Sequence, residues 1–266
     1  MVFAATDPSG GAGLQADIMT LASLHCHAVP VVTALTIQDT RGVDDLLPID
    51  PEWIAGQARH ILEDMPVEVF KMGLLGSVGA IAAISEILSD YPDIPVVFDP
   101  VLASGSGDEL ANEKLIGAIQ DLLIPKVTII TPNSIEARRL AIDETDEEDD
   151  PNLNECAERL LTQGCEYVLI TGTHVNTPRV LNTLYGEQGI VRSDSWERLP
   201  GSYHGSGCTL ASAIAASLAN GCEVSEAVKD AQEYTWHALN NAFLPGMGQY
   251  IPDRLFWAQE KGEEKT

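Results

Sequence analysis

The sequence predicts an α/β fold: a mostly parallel central sheet with helices on both faces. Three observations lead there. Short β-branched runs alternate with segments of helical apolar period along most of the chain, as crossover-connected parallel strands require. Polar, Gly- and Pro-containing turns follow the strand candidates, where open parallel sheets gather their ligands. No internal repeat and no Pro- or Ser-rich linker divides the 266 residues, so one domain over residues 1–258 with a polar tail at 259–266 is expected.

In chain order, Val2–Ala5 is the first strand, and the turn Asp7-Pro8-Ser9-Gly10-Gly11-Ala12-Gly13 leads into a helix carrying Leu14, Ile18 and Leu21. Val29–Leu35 reads as a second strand, and Ile54, Ala58, Ile61 and Leu62 mark one face of the next helix. Val67–Met72 and Pro95–Asp99 are strands around a helix bearing Ile81, Ile84, Ile87 and Leu88. Leu115, Ile116, Ile119, Leu122 and Leu123 share a further helical face before strands at Val127–Thr131 and Tyr167–Thr171. Two short runs within Leu181–Trp196, separated by Gly186 to Gly189, predict an antiparallel hairpin at the sheet edge. Helices at Gly207–Ala219 and Val224–Phe243 complete the chain.

Forty acidic residues against fifteen basic ones leave a formal charge of -25, which repels phosphate backbones and anionic lipid surfaces. Nucleic-acid and membrane-surface binding are therefore not expected. A phosphorylated substrate would have to be met locally, by backbone N–H groups, a divalent cation or a few placed basic groups. The five cysteines form no C-x-x-C pair, which argues against a zinc site or disulfide framework and for a reducing cytoplasm. No basic, apolar leader pattern opens the sequence, and no run of about 18 apolar residues spans a bilayer. The acidic stretch Asp143–Asp150 reads as a solvated loop without chemistry.

Three clusters carry candidate chemistry. In Asp7–Gly13, glycines permit close approach to the backbone, although the spacing fits neither G-x-G-x-x-G nor a P-loop. In His204-Gly205-Ser206-Gly207-Cys208-Thr209, successive amides at a helix start make an anion hole suited to a phosphoryl group. The helix dipole there is expected to lower the Cys208 pKa and make it a proton acceptor. Cys26, Cys156, Cys165 and Cys222 lack that setting and read as packing residues. In Thr131-Pro132-Asn133-Ser134-Ile135-Glu136, an amide oxygen and a carboxylate three residues apart suit magnesium, with simple helix capping by Asn133 as the rival. Asp99 ends its own strand and is placed to join that environment; Gln38 and His174 are further polar candidates.

Seven ordered motifs together resemble the hydroxymethylpyrimidine/phosphomethylpyrimidine kinase family of the ribokinase-like superfamily. They are DPSGGAGLQAD at Asp7–Asp17, VTALTIQDTRGV at Val32–Val43, FKMGLLGS at Phe70–Ser77, DPVLASGSGD at Asp99–Asp108, TPNSIEA at Thr131–Ala137, TGTH at Thr171–His174 and HGSGCTLASAIAA at His204–Ala216. The resemblance implies a ribokinase-like three-layer sandwich with a small antiparallel edge hairpin, using ATP and Mg2+ to phosphorylate 4-amino-5-hydroxymethyl-2-methylpyrimidine and then its monophosphate. It implies that Gly205, Ser206 and Gly207 form the anion hole, with Cys208 where most ribokinase-like sugar kinases have an aspartate base. It further implies that Asp7, Gly11, Gln38, Leu74 and Val101 line the pyrimidine pocket. Asn133, Thr173, His174 and Thr209 would attend the nucleotide and phosphates, and Asp99 and Glu136 the metal. A homodimer is the family-level expectation.

The chain departs from the family pattern where lysines are usual: Gly105 and Thr171 stand there instead, and the usual G-H-G is Gly246-Met247-Gly248. Missing cations would weaken handling of the monophosphate more than of the alcohol. The competing readings are a pyridoxal-type kinase, a non-catalytic pyrimidine-binding protein and a cysteine hydrolase in which His204 serves the thiol.

Overall fold

The computed structural model describes residues 1–103, 110–142, 150–172 and 177–258. The chain runs β1 (Val2–Ala4), α1 (Gly13–Ser23), β2 (Pro30–Val32), β3 (Ala34–Gln38), β4 (Val43–Pro48), α2 (Pro51–Leu62), β5 (Phe70–Met72), α3 (Val78–Asp90) and β6 (Val96–Phe98). It continues through α4 (Glu113–Ala118), β7 (Ile129–Ile130), α5 (Ser134–Ala141), α6 (Leu153–Thr162), β8 (Tyr167–Ile170), β9 (Arg179–Gly186), β10 (Gly189–Glu197), α7 (Ser206–Ala219) and α8 (Val224–Asn240). Eight strands form one sheet in the order β10-β9-β8-β7-β6-β5-β1-β2. The pairings from β2 to β8 are parallel, and β9 and β10 add antiparallel at the edge as the hairpin pattern predicts.

Strand alternation explains the three layers. Phe3, Phe70, Met72, Phe98, Ile130 and Val168 pack on one face against α2 to α6. Their neighbours Val69, Val97, Ile129 and Leu169 face α7 and α8, while Val2 and Ala4 meet Leu14 and Leu21 of α1. Each such side chain, fully buried, contributes roughly 1.5–3 kcal/mol. Helix α7 is Ala-rich because it lies in the core, with Leu210 through Ala216 all buried.

The predicted strand Val29–Leu35 is two strands in two sheets. Thr33 is buried at the break, its hydroxyl donating to the Leu74 carbonyl, and β3 turns off to pair antiparallel with β4 in a separate two-stranded sheet. The alternation of buried Ala34 and Thr36 with exposed Leu35 and Ile37 suits a sheet with one solvated face, not the interior of a covered one. Strand β4 has no β-branched run to announce it, and α6 is likewise an element the apolar pattern leaves unmarked. The helix expected to run through Leu123 is α-helical only to Ala118; a π turn at Ile119–Leu123 and a 3-10 turn at Ile124–Lys126 follow. Pro125 supplies the reason, since it lacks an N–H and its ring crowds the carbonyl one turn back.

Order reversal in the sheet places β1 between β2 and β5, so the turn after β1 opens at a topological switch point. Residues after β5, β6 and β7 share that carboxyl edge: Leu74, then Asp99 and Val101, then Asn133.

Candidate active site

The turn after β1 is organised by the Asp7 carboxylate. It accepts from Ser9 N (2.8 Å), Ser9 Oγ (2.9 Å), Ala12 N (2.6 Å) and His204 Nε2 (2.9 Å). Burial opposes its ionisation, yet these donors hold the buried carboxyl below the usual carboxylate range. His204 thereby joins the turn to the start of α7.

Gln38 meets the same histidine, with its amide 2.9 Å from His204 Nε2 and its other end 3.1 Å from Thr36 Oγ1. Hydrogen-bond balance settles its orientation. Thr36 Oγ1 gives its one proton to the Thr6 carbonyl at 2.8 Å, so the Gln38 group facing it must be the NH2 donor. The amide oxygen then faces His204, whose Nε2–H is shared between Asp7 and Gln38. His204 Nε2 is engaged by Asp7 and Gln38, and among the described residues no hydrogen bond joins His204 to Cys208 as a cysteine hydrolase would need.

The α7 turn begins at Gly205, whose φ of 77° is left-handed and whose Cα lies so close to the Gly11 carbonyl that any Cβ would overlap it. That contact brings the Asp7–Gly13 loop and the anion-hole loop together. The first-turn N–H groups after Gly205 have no acceptor within the helix and form the positive end of its dipole. Gly207 is exposed to the cleft, and a Cβ there would stand 3.4 Å from Asp99 Oδ2. Asp99 also lies close enough to Cys208 for each to act on the other's ionisation.

Beneath this turn lies a polar cluster that sequence reasoning missed. Lys71, the one charged residue of β5, is fully buried, and its Nζ donates to Asp17 Oδ1 at 2.9 Å. Ser212 Oγ donates to the same oxygen at 2.7 Å. The available signal was a lysine inside a strand buried on both faces, which requires a buried partner. Crowding by protein pushes the half-buried Cys208 thiol up to about 12; Lys71 pulls it down, while Asp99 and Asp17 push it further up. The expectation of a dipole-lowered thiol is therefore overturned, because desolvation outweighs the helix N-terminus.

The Asn133 side chain is a helix cap. Its Oδ1 accepts from Ile135 N (2.9 Å) and Glu136 N (3.0 Å), and Asn133 N donates to Glu136 Oε2 at 2.9 Å, a complete capping box. The amide oxygen read as a metal donor is thus already engaged, which leaves Nδ2 for a ligand. Asn133→Ala is expected to lower stability by about 1 kcal/mol, read from the urea unfolding midpoint. Thr209, expected near phosphate, is fully buried: its hydroxyl donates to Gly205 O (2.8 Å) and its amide to the same carbonyl (3.0 Å), so its side chain is turned away from the cleft. Thr173, His174 and Gly105 lie outside the described residues. Of the other cysteines, Cys156 and Cys165 are buried as packing residues, and Cys26 and Cys222 are half-buried.

Asp99 and Glu136, at the end of β6 and the start of α5, are two buried carboxyls near enough for Asp99 to disfavour the charge on Glu136. Burial pushes Asp99 up to about 6, and burial together with Asp99 pushes Glu136 up to about 8. Among the described residues no group of three or more His, Cys, Asp or Glu side chains is placed to hold a metal. Glu136 already accepts from Asn133 N at Oε2 and from Leu102 N at Oε1 (3.4 Å), so its remaining lone pairs and the Asp99 carboxylate are the hard oxygen donors left for Mg2+ to take alongside phosphate and water.

Comparison with known proteins places this geometry. The family model for phosphomethylpyrimidine kinase matches residues 7–253. The chain belongs to the phosphomethylpyrimidine kinase family. It is 33% identical over 251 residues to the hydroxymethylpyrimidine/phosphomethylpyrimidine kinase of Escherichia coli (strain K12), covering 94% of each. The phosphomethylpyrimidine kinase structure from Clostridium difficile 630 superposes with a TM-score of 0.75 at 32% identity, covering 90% of this chain and 97% of that one. A pyridoxal kinase from Staphylococcus aureus, in complex with pyridoxal, gives a TM-score of 0.83 at 26% identity, covering 96% and 93%. The two kinase types therefore share this backbone, and residue identity favours the phosphomethylpyrimidine kinases.

Proposed function

We propose that the protein transfers the γ-phosphoryl group of ATP to the hydroxymethyl group of 4-amino-5-hydroxymethyl-2-methylpyrimidine, then phosphorylates the monophosphate to the diphosphate, as a step of thiamine biosynthesis. The observation that carries the reading is the contact of Gly205 with the Gly11 carbonyl, which sets an anion hole directly against a ligand-binding turn. Asp7, Gly11, Gln38, Leu74 and Val101 hold the ring. With its oxygen turned to His204, the Gln38 amide directs N–H toward Thr36, and its second N–H is the donor for a ring nitrogen.

Gly205, Ser206 and Gly207 present amides to the transferring phosphoryl group, and Asn133, with Thr173 and His174, attends the nucleotide. Asp99 and Glu136 would hold Mg2+, which when bound neutralises phosphate charge. Phosphoryl transfer has a loose transition state, so the hydroxyl proton need not leave early. Cys208 Sγ accepts the hydrogen bond of the substrate hydroxyl, and the nearby Asp99 carboxylate is the acceptor for the thiol proton displaced as sulfur takes up the new one. A homodimer in a reducing cytoplasm belongs to the same reading. All five cysteines are free, and the two-stranded sheet exposes Leu35 (45%), Ile37 (63%) and Leu47 (63%) as a surface for a second copy to cover. No helix among the described residues is long and apolar enough to cross a membrane.

The test is ADP release from MgATP with hydroxymethylpyrimidine, its monophosphate and pyridoxal as separate acceptors. Turnover of both pyrimidines above pyridoxal is the expected result. Preference for pyridoxal, or no turnover of any acceptor, would overturn the reading.

A further inference from the structure

Arg254 belongs to none of the motifs, yet it is the largest fully buried side chain among the described residues. Its Nε donates to Thr209 Oγ1 at 3.0 Å and its Nη2 to the Gly11 carbonyl at 2.5 Å. The backbone carbonyl of Arg254 is anchored in turn by Ser23 Oγ and Tyr234 Oη, each at 2.7 Å. Among the described residues no carboxylate stands within ion-pair distance of the guanidinium, and Nη1 has no hydrogen-bond partner. Asp7, Asp17 and Cys208 act on its charge from further away.

A guanidinium keeps its proton in proteins, and burying one without a paired anion is costly. A side chain needed only to fill space would be apolar. This one instead bridges two loops: Gly11 belongs to the turn after β1, and Thr209 closes the first turn of α7 on Gly205. Those are the two backbone segments whose contact defines the site.

We propose that Arg254 is a positioning residue for phosphoryl transfer: it pins the Gly11 carbonyl to the first turn of α7, and its unpaired charge favours anionic phosphate at the amides of that turn. It supplies local positive charge in a chain with neither of the lysines usual at positions 105 and 171. The inference rests on the phosphotransferase reading above.

The experiment compares R254M, which keeps bulk without charge, and R254K, which keeps charge without the fork, with wild type in the ADP-release assay, alongside thermal unfolding. R254M is expected to lower kcat at least about tenfold on both pyrimidine acceptors with KM for hydroxymethylpyrimidine within about threefold. The loss should be larger for the monophosphate, and R254K should recover at least about threefold of it. Wild-type kcat in R254M, or equal kcat in R254M and R254K, would overturn the inference while leaving the activity assignment intact. Wild-type protein inactive on both pyrimidines would overturn both. Should R254M fail to fold, R254Q, uncharged but still able to hydrogen-bond, takes its place; a fall in kcat of at least about tenfold with KM within about threefold supports the role, and wild-type kcat removes it.

Discussion

Replacing Cys208 by alanine is expected to cut kcat for the hydroxymethyl acceptor by about 10²–10⁴-fold, the range for removal of a positioned proton-transfer group, with KM for the pyrimidine little changed. The expectation follows from where the sulfur sits. Cys208 is in the first turn of α7, one residue beyond Gly207, with Asp99 near enough to act on its ionisation. Burial holds the thiol up at about 12, so it acts as a neutral relay and not as a standing thiolate. Cys208→Ser keeps a donor and acceptor of smaller size and should retain more activity than Cys208→Ala. Steady-state kinetics with a matched unfolding curve checks both; Cys208→Ala with kcat within about threefold of wild type would remove the relay.

Lys71→Met is expected to destabilise the fold by about 3–5 kcal/mol, the cost of leaving one member of a buried ion pair unpaired. Asp17 is fully buried, and its Oδ2 has no hydrogen-bond partner, so its charge depends on the Lys71 and Ser212 contacts to Oδ1. The variant would also withdraw the cation that restrains ionisation shifts at Cys208 and Asp99, pushing both further up. Urea unfolding measures the loss, and Lys71→Met combined with Asp17→Leu should regain part of it by removing the stranded charge. A single-variant loss under about 1 kcal/mol would show that the pair is not the support it is taken to be.

The elements that were legible from sequence are those whose pattern is local. Val2–Ala5, Val67–Met72 and Pro95–Asp99 read as strands, and contain β1, β5 and β6, because short apolar runs bounded by turn residues have few alternatives, and the hairpin around Gly186 to Gly189 because two runs flank a turn. The split of Val29–Leu35 was not legible. Whether Ala34 continues one sheet or starts another depends on β4, whose partner strand is chosen by packing on the Leu74 turn and not by its own acidic sequence. Proline 125 was visible, but its effect on the preceding turn depends on how far the core pulls the helix on.

The site divides in the same way. Gly205, Ser206, Gly207 and Cys208 were identifiable because a glycine-rich helix start has the same backbone chemistry wherever it occurs. Asp7 and Gln38 were named as pocket residues, yet their shared histidine joins positions 7, 38 and 204, a contact that only folding creates. Charge state was the least legible property. The sequence placed Cys208 at a helix N-terminus and so pointed to a lowered pKa, whereas the three-dimensional surroundings add desolvation and two carboxyls and reverse the sign. Arg254 appears in sequence as an ordinary cation among fifteen basic residues with nothing local to mark it as buried, whereas Lys71 is marked only by its place inside an apolar strand run. The sequence by itself determined the fold class, the kinase family and the anion-hole turn, since these rest on short-range pattern. The tertiary structure alone decided which polar groups meet and which are cut off from water, because hydrogen bonding and desolvation depend on neighbours more than 150 residues away in the chain, as between Gln38 and His204.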